Sequence, residues 1–333
     1  MPLSTAPRVL IVIPALNEAA HIGGVLDFVV AFAERVDGLV VVADGGSTDR
    51  TRDIVRARAV DHRRIRLLDN PARLQAAGVN LAVARHGKGV EWLLRLDAHS
   101  AYPADYGDVL LDEAQRTGAD SVVVSMHAQG QGFLHRVIAQ AQNSRLGNGG
   151  SAHRLAGGGA WVDHGHHALM RIAAFQGAGG YDEGFSHNED AELDRRLTAA
   201  GNRIWLTGRT RLTYFPRTRL GPLVRQYYNF GRGRAKNLLK HKARPGARQA
   251  VVALLAPAAA LALLAPVSAW FALPLILWLL ACLVGGVMIA LQARRPEGLL
   301  AGLVAGAMHM AWSAGFWRQW LSRRPATPQR VRA

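Results

Sequence analysis

The fold is decided by residues Leu39–Asp49, which read LVVVADGGSTD. The valine-rich run Leu39–Ala43 is typical of a strand buried on both faces of a sheet. The glycines and hydroxyl side chains after it form a polar turn, and residues Thr48–Arg58 then have the length and spacing of a helix. A buried strand that leads through a tight turn into a helix is the repeating unit of an α/β fold.

The same alternation of short apolar runs and helical stretches extends to both sides of this segment. The predicted buried strands are Arg8–Ile13, Leu39–Ala43, Ile65–Leu68, Trp92–Leu96 and Ser121–Ser125. The predicted helices between them are Ala19–Arg35, Thr48–Arg58, Leu74–Arg85 and Tyr106–Thr117. Strands that alternate with helices predict a mostly parallel sheet with helices on both faces.

Polar clusters follow three of the predicted strands at the point where each strand ends. They are Pro14–Glu18, Asp44–Asp49 and Asp97–His99. The ligand site of an open α/β sheet lies beyond the carboxyl ends of its strands, so we expect the three clusters to converge at one edge. The sequence therefore predicts a single ligand site built from these turns.

Asp97 and His99 stand two residues apart at a strand end, so both side chains can point toward one ligand as the chain leaves the sheet. A carboxylate with an imidazole suits a divalent cation, and Mn²⁺ fits such a mixed site better than Mg²⁺. The alternative is an exposed loop pair without a metal, because Asp-x-His is a frequent chance combination. The spacing alone leaves both interpretations open.

Asp44 ends the deciding strand, where a carboxylate can accept hydrogen bonds from a uracil imide or a ribose hydroxyl. The alternative is a helix start in which Ser47 or Thr48 is the N-cap and Asp49 lies in the first turn. The turn is not a phosphate-binding P-loop, because no Gly-Lys-Ser/Thr follows it. The segment Pro14–Glu18 is similarly either part of the site or a strand-to-helix turn.

Asn188-Glu189-Asp190 opens a predicted helix over Glu189–Ala200. Its acids are either dipole partners of the helix or a general base that deprotonates an acceptor hydroxyl. Upstream, Gly130–Gly165 has little periodicity and predicts a long loop over the site. The histidines 164, 166 and 167 near its end either contact a donor diphosphate or have no role, and they complete no zinc pattern.

The chain has 333 residues and a formal net charge of +16, which is unevenly distributed. No Asp or Glu lies between Asp194 and Glu297, whereas Arg and Lys crowd residues Arg217–Arg248. Residues Val251–Leu291 contain no charge and are too many for one membrane span of about 20 residues. A basic segment beside an apolar block predicts binding to anionic head groups and argues against nucleic acid as a partner.

These shifts in composition predict four segments, at residues 1–216, 217–248, 249–321 and 322–333. They are a sheet domain, a basic amphipathic juxtamembrane segment, two or three membrane-associated helices and a basic tail. The apolar block divides near Pro266–Ser268, and Leu299–Trp317 is either a third span or an interfacial helix. Gly298, Gly302 and Gly306 recur at four-residue spacing, which predicts close helix packing.

The single cysteine, Cys282, excludes an internal disulfide, and residues 1–7 lead into the first strand without a signal peptide. The turn near Pro266–Ser268 would face away from the cytoplasm, and Arg294 and Arg295 return the chain to the cytoplasmic side. We therefore expect a multi-pass protein of the cytoplasmic membrane with its sheet domain in the cytoplasm.

Taken in order, the motifs PALNE at 14–18, DGGSTD at 44–49, DAH at 97–99 and NEDAELDRRL at 188–197 resemble the family 2 glycosyltransferases of the GT-A fold. VDHGHH at 162–167 and GGYDE at 179–183 make the chain most similar to the succinoglycan-type exopolysaccharide glucosyltransferases. The resemblance covers roughly Arg8 to Arg244. It implies a Rossmann-like GT-A domain followed by a helical membrane region.

The resemblance also implies a role for each matching residue. A divalent cation, Mn²⁺ or Mg²⁺, would be held by Asp97 and His99 on the diphosphate of a UDP-sugar. Asp190 would be the catalytic base, with Glu189 beside it. The residues that would bind the donor are Pro14, Ala15, Asn17, Glu18, Asp44, Ser47 and Asp97.

Two departures from the family pattern bear on this assignment. Asp-x-His replaces the usual Asp-x-Asp, so the charge of the metal is less fully compensated. The Gln-x-x-Arg-Trp motif of processive synthases is absent, and Arg225-Gln226-Tyr227-Tyr228 stands in its region. The absence favours transfer of a single sugar over polymerisation.

The resemblance therefore implies an inverting transfer of a hexose, with glucose as the first choice, to a hydroxyl of a lipid-linked saccharide. Other polysaccharide assembly proteins are expected partners. Two alternatives stay open: a polyprenyl-phosphate sugar transferase, and a non-catalytic membrane scaffold with the same fold.

Overall fold

The computed structural model describes residues 9–149 and 158–322. The chain divides into two compact units. The first comprises Met1–Met126 with Ala156–Tyr214, and the second comprises His127–Leu155 with Phe215–Ala333. Residues 127–155 thus group with the C-terminal part of the chain, whereas the sequence analysis placed them inside the segment 1–216.

The first unit alternates strands and helices along the chain. Its strands are β1 Val9–Ala15, β2 Leu39–Asp44, β3 Ile65–Asp69, β4 Trp92–Arg95, β5 Ser100–Ala101, β6 Ser121–Ala128, β7 Ala160–Val162, β8 His166–Arg171 and β9 Ile204–Tyr214, with the unit boundary falling inside β6. Its helices are α1 Ile22–Arg35, α2 Thr51–Asp61, α3 Gln75–His86, α4 Tyr106–Thr117, α7 Ile172–Gly177 and α8 Glu189–Ala199.

The strands form one sheet in the order β3-β2-β1-β4-β8-β6-β9-β5, with β7 paired to β9. β1 lies between β2 and β4 and is parallel to both, and β2 is parallel to β3. The pairings of β8 with β4 and β6, and of β9 with β5 and β7, are antiparallel. The predicted α/β class is confirmed, and the antiparallel part was not specified by the sequence.

The core lies on both faces of this sheet, as the alternation of side chains along the strands requires. In β1, Val9, Ile11 and Ile13 join the apolar cluster on one face, while Leu10 and Val12 join the cluster on the other. The first cluster packs against α1 and α4, and the second packs against α3 and α8. A strand that is buried on both sides is hydrophobic throughout, which is why Leu39–Ala43 shows no polar alternation.

The second unit is helical. Its helices are α5 Phe133–Asn143, α6 Arg145–Asn148, α9 Leu220–Lys240, α10 Ala247–Ala253, α11 Leu255–Ala262, α12 Leu273–Ala293 and α13 Gly298–Ser322. A short 3₁₀ helix, Ala269–Ala272, precedes α12. The predicted surface helix over Gly221–Lys242 corresponds to α9.

The prediction of one long loop over Gly130–Gly165 is wrong for most of that segment. It contains α5 and α6 as well as β7, and only residues 150–157 lie outside the described residues. The helical signal is Val137, Ile138 and Ala141, which recur at helical spacing and are fully buried against apolar residues of α13. The surrounding glycines, histidines and amides obscured this apolar stripe.

Two helical segments in the described residues are long and apolar enough to cross a membrane, Ala269–Ala293 and Gly298–Ser322. The uncharged block is divided between the shorter apolar stretch Ala247–Ala262 and the segment that begins at Ala269, and the predicted division near Pro266–Ser268 falls between the two. The large side chains of α12 are mostly exposed, whereas α13 is more buried within its unit.

Glycines let the helices of this unit approach closely, as their four-residue spacing predicts. A β-carbon built on Gly302 would lie 2.0 Å from the carbonyl oxygen of Cys282 in α12. Gly231 of α9 lies equally close to the backbone of α13, where a β-carbon would be 1.9 Å from the carbonyl oxygen of Trp312. Any larger residue at these positions would force the helices apart.

Candidate active site

The turns after β1 and β2 are joined by hydrogen bonds between side chains and backbone. The backbone amide of Asn17 donates to Ser47 Oγ at 2.8 Å, and Asn17 Oδ1 accepts from the amide of Thr48 at 2.8 Å. The amide of Glu18 donates to Thr51 Oγ1 at 2.8 Å. The predicted convergence of these two clusters is therefore confirmed.

The bonds differ from those of a simple helix start. Neither Ser47 nor Thr48 caps α2, which begins at Thr51, and Asn17 bonds across to the other turn instead of capping α1. The N-cap of α2 is Arg50, which makes no side-chain capping bond. The carboxylate of Asp49 instead joins the two turns, because it accepts from the amide of Thr51 at 3.0 Å and from that of Ala19 at 3.1 Å.

Asp44 is fully buried at the end of β2. Its Oδ2 accepts from the amide of Gly46 at 3.0 Å and that of Ser47 at 3.1 Å, and it pairs with Arg52 Nη1 at 2.7 Å. Burial alone would raise the pKa of Asp44, but the bonds from Ser47 and Arg52 outweigh it and lower the pKa. Arg52 also pairs with Asp69 at 2.7 Å, so it bridges the carboxylates that end β2 and β3.

A second cation lies over the same turn. The guanidinium of Arg73 is so close to Gly46 that a β-carbon there would be 3.3 Å from it. Gly46 has a φ of +85°, a conformation that favours glycine. Two independent features therefore favour glycine at position 46: the positive φ angle and the nearby guanidinium of Arg73.

Asp97 and Asp190 meet at one guanidinium. Arg95 is the last residue of β4, and its Nη2 lies 3.3 Å from Asp97 Oδ1 while its Nη1 lies 2.6 Å from Asp190 Oδ1. Only 4% of the Arg95 side chain is exposed. Residues 95 and 97 are two apart at the end of the strand, and α8 brings Asp190 to the other side of the guanidinium. The structure therefore brings together two of the predicted site residues.

His166 lies between the same two carboxylates. Its Nε2 is 3.3 Å from Asp97 Oδ2, and its Nδ1 is 3.8 Å from Asp190 Oδ2. Burial would raise the pKa of Asp97, but the charge of Arg95 and the contact with His166 outweigh it and hold that pKa below its usual range. Both carboxylates are therefore ionised when the protein is folded.

His167 extends this cluster into the interior. Its Nδ1 lies 2.6 Å from the Tyr181 hydroxyl and 3.2 Å from Asp190 Oδ1, and its Nε2 lies 2.6 Å from Asp194 Oδ1. Burial would raise the pKa of Asp190, but Arg95 and then His167 outweigh it and hold the pKa well below its ordinary value.

The pKa of Glu189 is shifted in the opposite direction to that of Asp190. Burial, together with the negative charge of Asp190, raises the pKa of Glu189 to about 7. Two adjacent buried carboxylates disfavour each other's negative charge, so one of the two keeps its proton to a higher pH than the other. Asp190 is therefore ionised throughout the pH range in which Glu189 titrates.

His99 follows Asp97 in the turn after β4. Its Nδ1 is 2.9 Å from Glu18 Oε1, so the turn after β4 is connected to the turn after β1. The charge of His99 also contributes to lowering the pKa of Asp97, after the contributions of Arg95 and His166. All three predicted clusters thus adjoin one site, and His99 joins the third cluster to the first through Glu18.

Comparison with known proteins identifies the family. Residues 10–178 match the family described as Glycosyl transferase family 2. The Succinoglycan biosynthesis protein ExoA of Rhizobium meliloti (strain 1021) is 53% identical over 320 residues, which are 96% of this chain and 97% of that protein. The chain belongs to glycosyl transferase family 2. The predicted family and its succinoglycan-type relatives are confirmed.

Two further similarities place this family 2 glycosyltransferase more broadly. The Dolichyl-phosphate beta-glucosyltransferase ALG5C of Trichomonas vaginalis is 35% identical over 101 residues, which are 28% of this chain and 30% of that protein. The mannosyltransferase PcManGT from Pyrobaculum calidifontis, solved with GDP-Man and Mn²⁺, matches with a TM-score of 0.59 and 18% identity over 96% of this chain and 89% of that one. The second likeness shows a shared fold.

Several residues of the glycosyltransferase site were missed or left undecided by the sequence analysis. Arg95 was read only as part of a strand, although a lone cation inside an otherwise apolar run, two residues before Asp97, is a usable signal. The role of His167 was left open because residues 164–167 read as loop, whereas His167 belongs to β8 and is buried. Asp194 is one turn after Asp190 on α8, a spacing that places both carboxylates on one face.

Proposed function

We propose that this glycosyltransferase moves a hexose, with glucose as the first choice, from a UDP-sugar to a hydroxyl of a lipid-linked saccharide in exopolysaccharide synthesis, with inversion at the anomeric carbon. The observation that carries the proposal is the bridge made by Arg95 between Asp97 and Asp190. It supports a site in which Asp97, proposed to lie nearest the donor diphosphate, and Asp190, proposed to accept the proton, lie on two sides of the Arg95 guanidinium.

We assign the role of base to Oδ2 of Asp190. Its Oδ1 is bonded to Arg95 and contacted by His167, while Oδ2 has only the longer contact of 3.8 Å with His166 among the contacts described above. The acceptor hydroxyl gives its proton to Oδ2 as its oxygen bonds to the anomeric carbon. The bond from that carbon to the diphosphate breaks on the opposite face, and its electron pair leaves with UDP. A positioned base contributes about 10²- to 10⁴-fold to such a rate.

Asp97 and His99 fit a divalent cation by the chemistry of their donor atoms. Among the described residues, no group of three or more His, Cys, Asp or Glu side chains is arranged to hold a metal by itself. Ions such as Mg²⁺ are commonly held by one or two carboxylates together with substrate phosphates, which suits this pair. When bound, the cation would neutralise charge that develops on the leaving diphosphate.

His99 provides a direct test of the metal assignment. The substitution His99→Asp would restore the usual Asp-x-Asp pattern, so activity should persist with its preference shifted from Mn²⁺ toward Mg²⁺. Metal titration of transfer activity measures this shift. Unchanged metal-dependent activity in His99→Ala would remove His99 from the set of ligands.

The uridine is proposed to lie against the joined turns after β1 and β2. Asp44 is fully buried and paired with Arg52, so we assign it the task of shaping the turn through the amides of Gly46 and Ser47. Pro14, Ala15, Asn17 and Glu18 remain the proposed donor contacts from the turn after β1.

The helical unit supports an acceptor that stays at a membrane. α12 exposes a series of large apolar side chains, and Arg294 and Arg295 follow it directly. The exposed cations of α9 and the segment after it include Arg225, Arg232 and Lys242. Such a segment attracts lipid phosphates by about 1 kcal/mol for each cation near the surface. We therefore propose a multi-pass protein with its sheet domain in the cytoplasm.

The experiment that tests this function uses membranes that contain the full-length protein. They are incubated with labelled UDP-glucose, other UDP-hexoses and GDP-mannose in parallel, and the lipid-linked product is extracted and digested to determine the new linkage. We expect incorporation from UDP-glucose into a lipid-linked saccharide through a β-linkage. Incorporation from none of these donors, with Mn²⁺ and Mg²⁺ present, would contradict the proposal and favour a scaffold.

A second candidate is transfer to a bare polyprenyl phosphate, which is favoured by the partial similarity to the dolichyl-phosphate glucosyltransferase. A phosphate acceptor is already ionised and needs no base. The substitution Asp190→Asn separates the two functions, because it should abolish transfer to a hydroxyl and reduce transfer to a phosphate only modestly.

A further inference from the structure

His167 is a fully buried histidine with both ring nitrogens engaged. Nδ1 faces the Tyr181 hydroxyl and Asp190, and Nε2 lies 2.6 Å from Asp194. A buried imidazole with carboxylates on two sides is unusual for a purely apolar core, because each ionised group must be matched by an opposite charge or a hydrogen bond. The burial of His167 between these carboxylates therefore indicates a functional role for the imidazole.

Asp194 is committed entirely to this arrangement. It is fully buried, and its Oδ1 faces His167. Its Oδ2 contacts His164 Nδ1 at 2.8 Å and accepts from the backbone amide of Gly165 at 3.2 Å. Both oxygens are therefore used inside the protein, and the carboxylate serves to fix and charge the imidazole.

We propose that His167, held by Asp194, is a positioning residue for the transfer reaction, because it fixes Oδ1 of Asp190 and leaves Oδ2 facing the acceptor. The inference rests on the proposed role of Asp190 as base and extends it to two residues that neither contact the sugar nor receive the proton. Arg95 fixes the same oxygen from β4, so Asp190 is held from two sides.

The charge of His167 supports this role. Burial alone would lower the pKa of His167, but Asp194, followed by Tyr181 and Asp190, outweighs it and raises that pKa well above its ordinary value. The imidazole is then a cation that donates from both nitrogens. It complements Arg95, and the two cations lie among the carboxylates of Asp97, Asp190 and Asp194.

The proposal predicts a change in the pH profile. The charged or titratable groups that face Asp190 include Arg95 from β4, His166 and His167 from β8, Tyr181, and Glu189 beside it on α8. Removing the positive charge of His167 favours the protonated form of Asp190, so the pKa of Asp190 rises. The acid limb of kcat therefore moves to higher pH.

The test uses His167→Gln and Asp194→Asn in the full-length protein in membranes, with kcat, donor KM and the pH profile measured. We expect kcat to fall by about 10²-fold, as expected for a misplaced reacting group, while donor KM changes by less than about threefold. Both variants should move the acid limb to higher pH. Asp194→Asn keeps the imidazole in place, so it tests the proposal alone if His167→Gln does not fold.

Glu192→Gln is a matched control on the same helix. Glu192 is also fully buried, but the partner of its carboxylate is Arg196, whose Nη2 lies at 2.6 Å. It should lower stability while leaving the acid limb in place. An acid limb that stays at the wild-type position in His167→Gln and Asp194→Asn would overturn the inference.

A parallel measurement on Asp190→Asn distinguishes failure of the positioning role of His167 from failure of the proposed function. If Asp190→Asn is inactive but the His167 and Asp194 variants keep the wild-type pH profile, the positioning role fails and the proposed function stands. If Asp190→Asn retains most of its activity toward the hydroxyl acceptor, the base assignment fails, and the positioning role fails with it.

Discussion

Two arginines in the sheet unit each bridge a pair of carboxylates, in surroundings that differ sharply. Arg52 joins Asp44 to Asp69 beside the proposed uridine site, and Arg95 joins Asp97 to Asp190 at the proposed site of transfer. The Arg52 side chain is 26% exposed and that of Asp69 is 74% exposed. The Arg95 side chain is 4% exposed, and its two partners are 16% and 17% exposed.

The difference shows how one ion-pair geometry can serve two purposes. Asp44 has backbone amides as additional donors, so the loop holds its carboxylate even where Arg52 is hydrated. Asp97 and Asp190 depend on cationic side chains, which shift their pKa values strongly because little water screens them. The first bridge shapes the turn of the proposed uridine site, and the second sets the charge state of the groups proposed to react.

The largest expected effect is that of Arg95→Met. It leaves two carboxylates without their shared cation in a water-poor site, and breaking such a buried pair destabilises a protein by about 3–5 kcal/mol. Transfer activity should fall by about 10³-fold, as expected when preorganised charge is lost. Denaturant unfolding and initial rates measure the two effects. Arg95→Lys should recover stability better than activity, because lysine lacks the planar fork.

Asp44→Asn should have a smaller effect than Arg95→Met, and the effect should be on binding of the donor. The asparagine keeps an oxygen for the amides of Gly46 and Ser47 but loses the charge that pairs with Arg52. Hydrogen bonds to charged groups contribute about 1.5–3 kcal/mol, so the donor KM should rise by about 10-fold or more with little change in kcat. Steady-state kinetics with varied UDP-sugar measure the split. A fall in kcat at constant KM would place Asp44 at the transfer step instead.

Arg52→Met should have a still smaller effect on activity and stability. It is the matched counterpart of Arg95→Met, because each substitution removes an arginine that bridges two carboxylates. Its pair with the exposed Asp69 is screened by solvent, and such pairs contribute about 0–1 kcal/mol. Its other partner, the buried Asp44, would still accept bonds from the amides of Gly46 and Ser47. We expect a rise of a few-fold in donor KM and a small loss of stability. If Arg52→Met and Arg95→Met were equally harmful, burial would not be the property that separates the two bridges.

The smallest expected effect concerns Glu189 and the stability of the folded protein. Its raised pKa, about 7, means that the folded state binds a proton that the unfolded state releases above its ordinary value of 4.5. Stability from this group is therefore complete below that ordinary value and is lost as pH rises through about 7.

Glu189→Gln removes this dependence, so its melting temperature should exceed that of wild type by roughly 2–4 °C at pH 8 and match it near pH 4. Thermal unfolding at both pH values measures the difference. Glu192→Gln is again the control, and it should show no such gain at pH 8.

The sequence predicted the first four parallel strands because each is an apolar run bounded by turn residues. It also predicted that PALNE, DGGSTD and DAH would lie together, since the carboxyl ends of neighbouring parallel strands share one edge. It did not predict β7, β8 and α5 in the region between 130 and 171. Their signals are short apolar stripes among glycines, histidines and amides, and their burial depends on partners far along the chain.

The amino-acid sequence by itself determined the α/β class, the family and the edge at which the candidate site forms, because these follow from local periodicity and from the order of short motifs. Only the tertiary structure decided which charges meet. Arg95 of β4 and His167 of β8 meet Asp190 of α8, and Asp194 of the same helix meets His167, only when the three elements pack together. Burial then fixes the charge states, since the pKa of a carboxylate or imidazole depends on neighbours that no local pattern specifies.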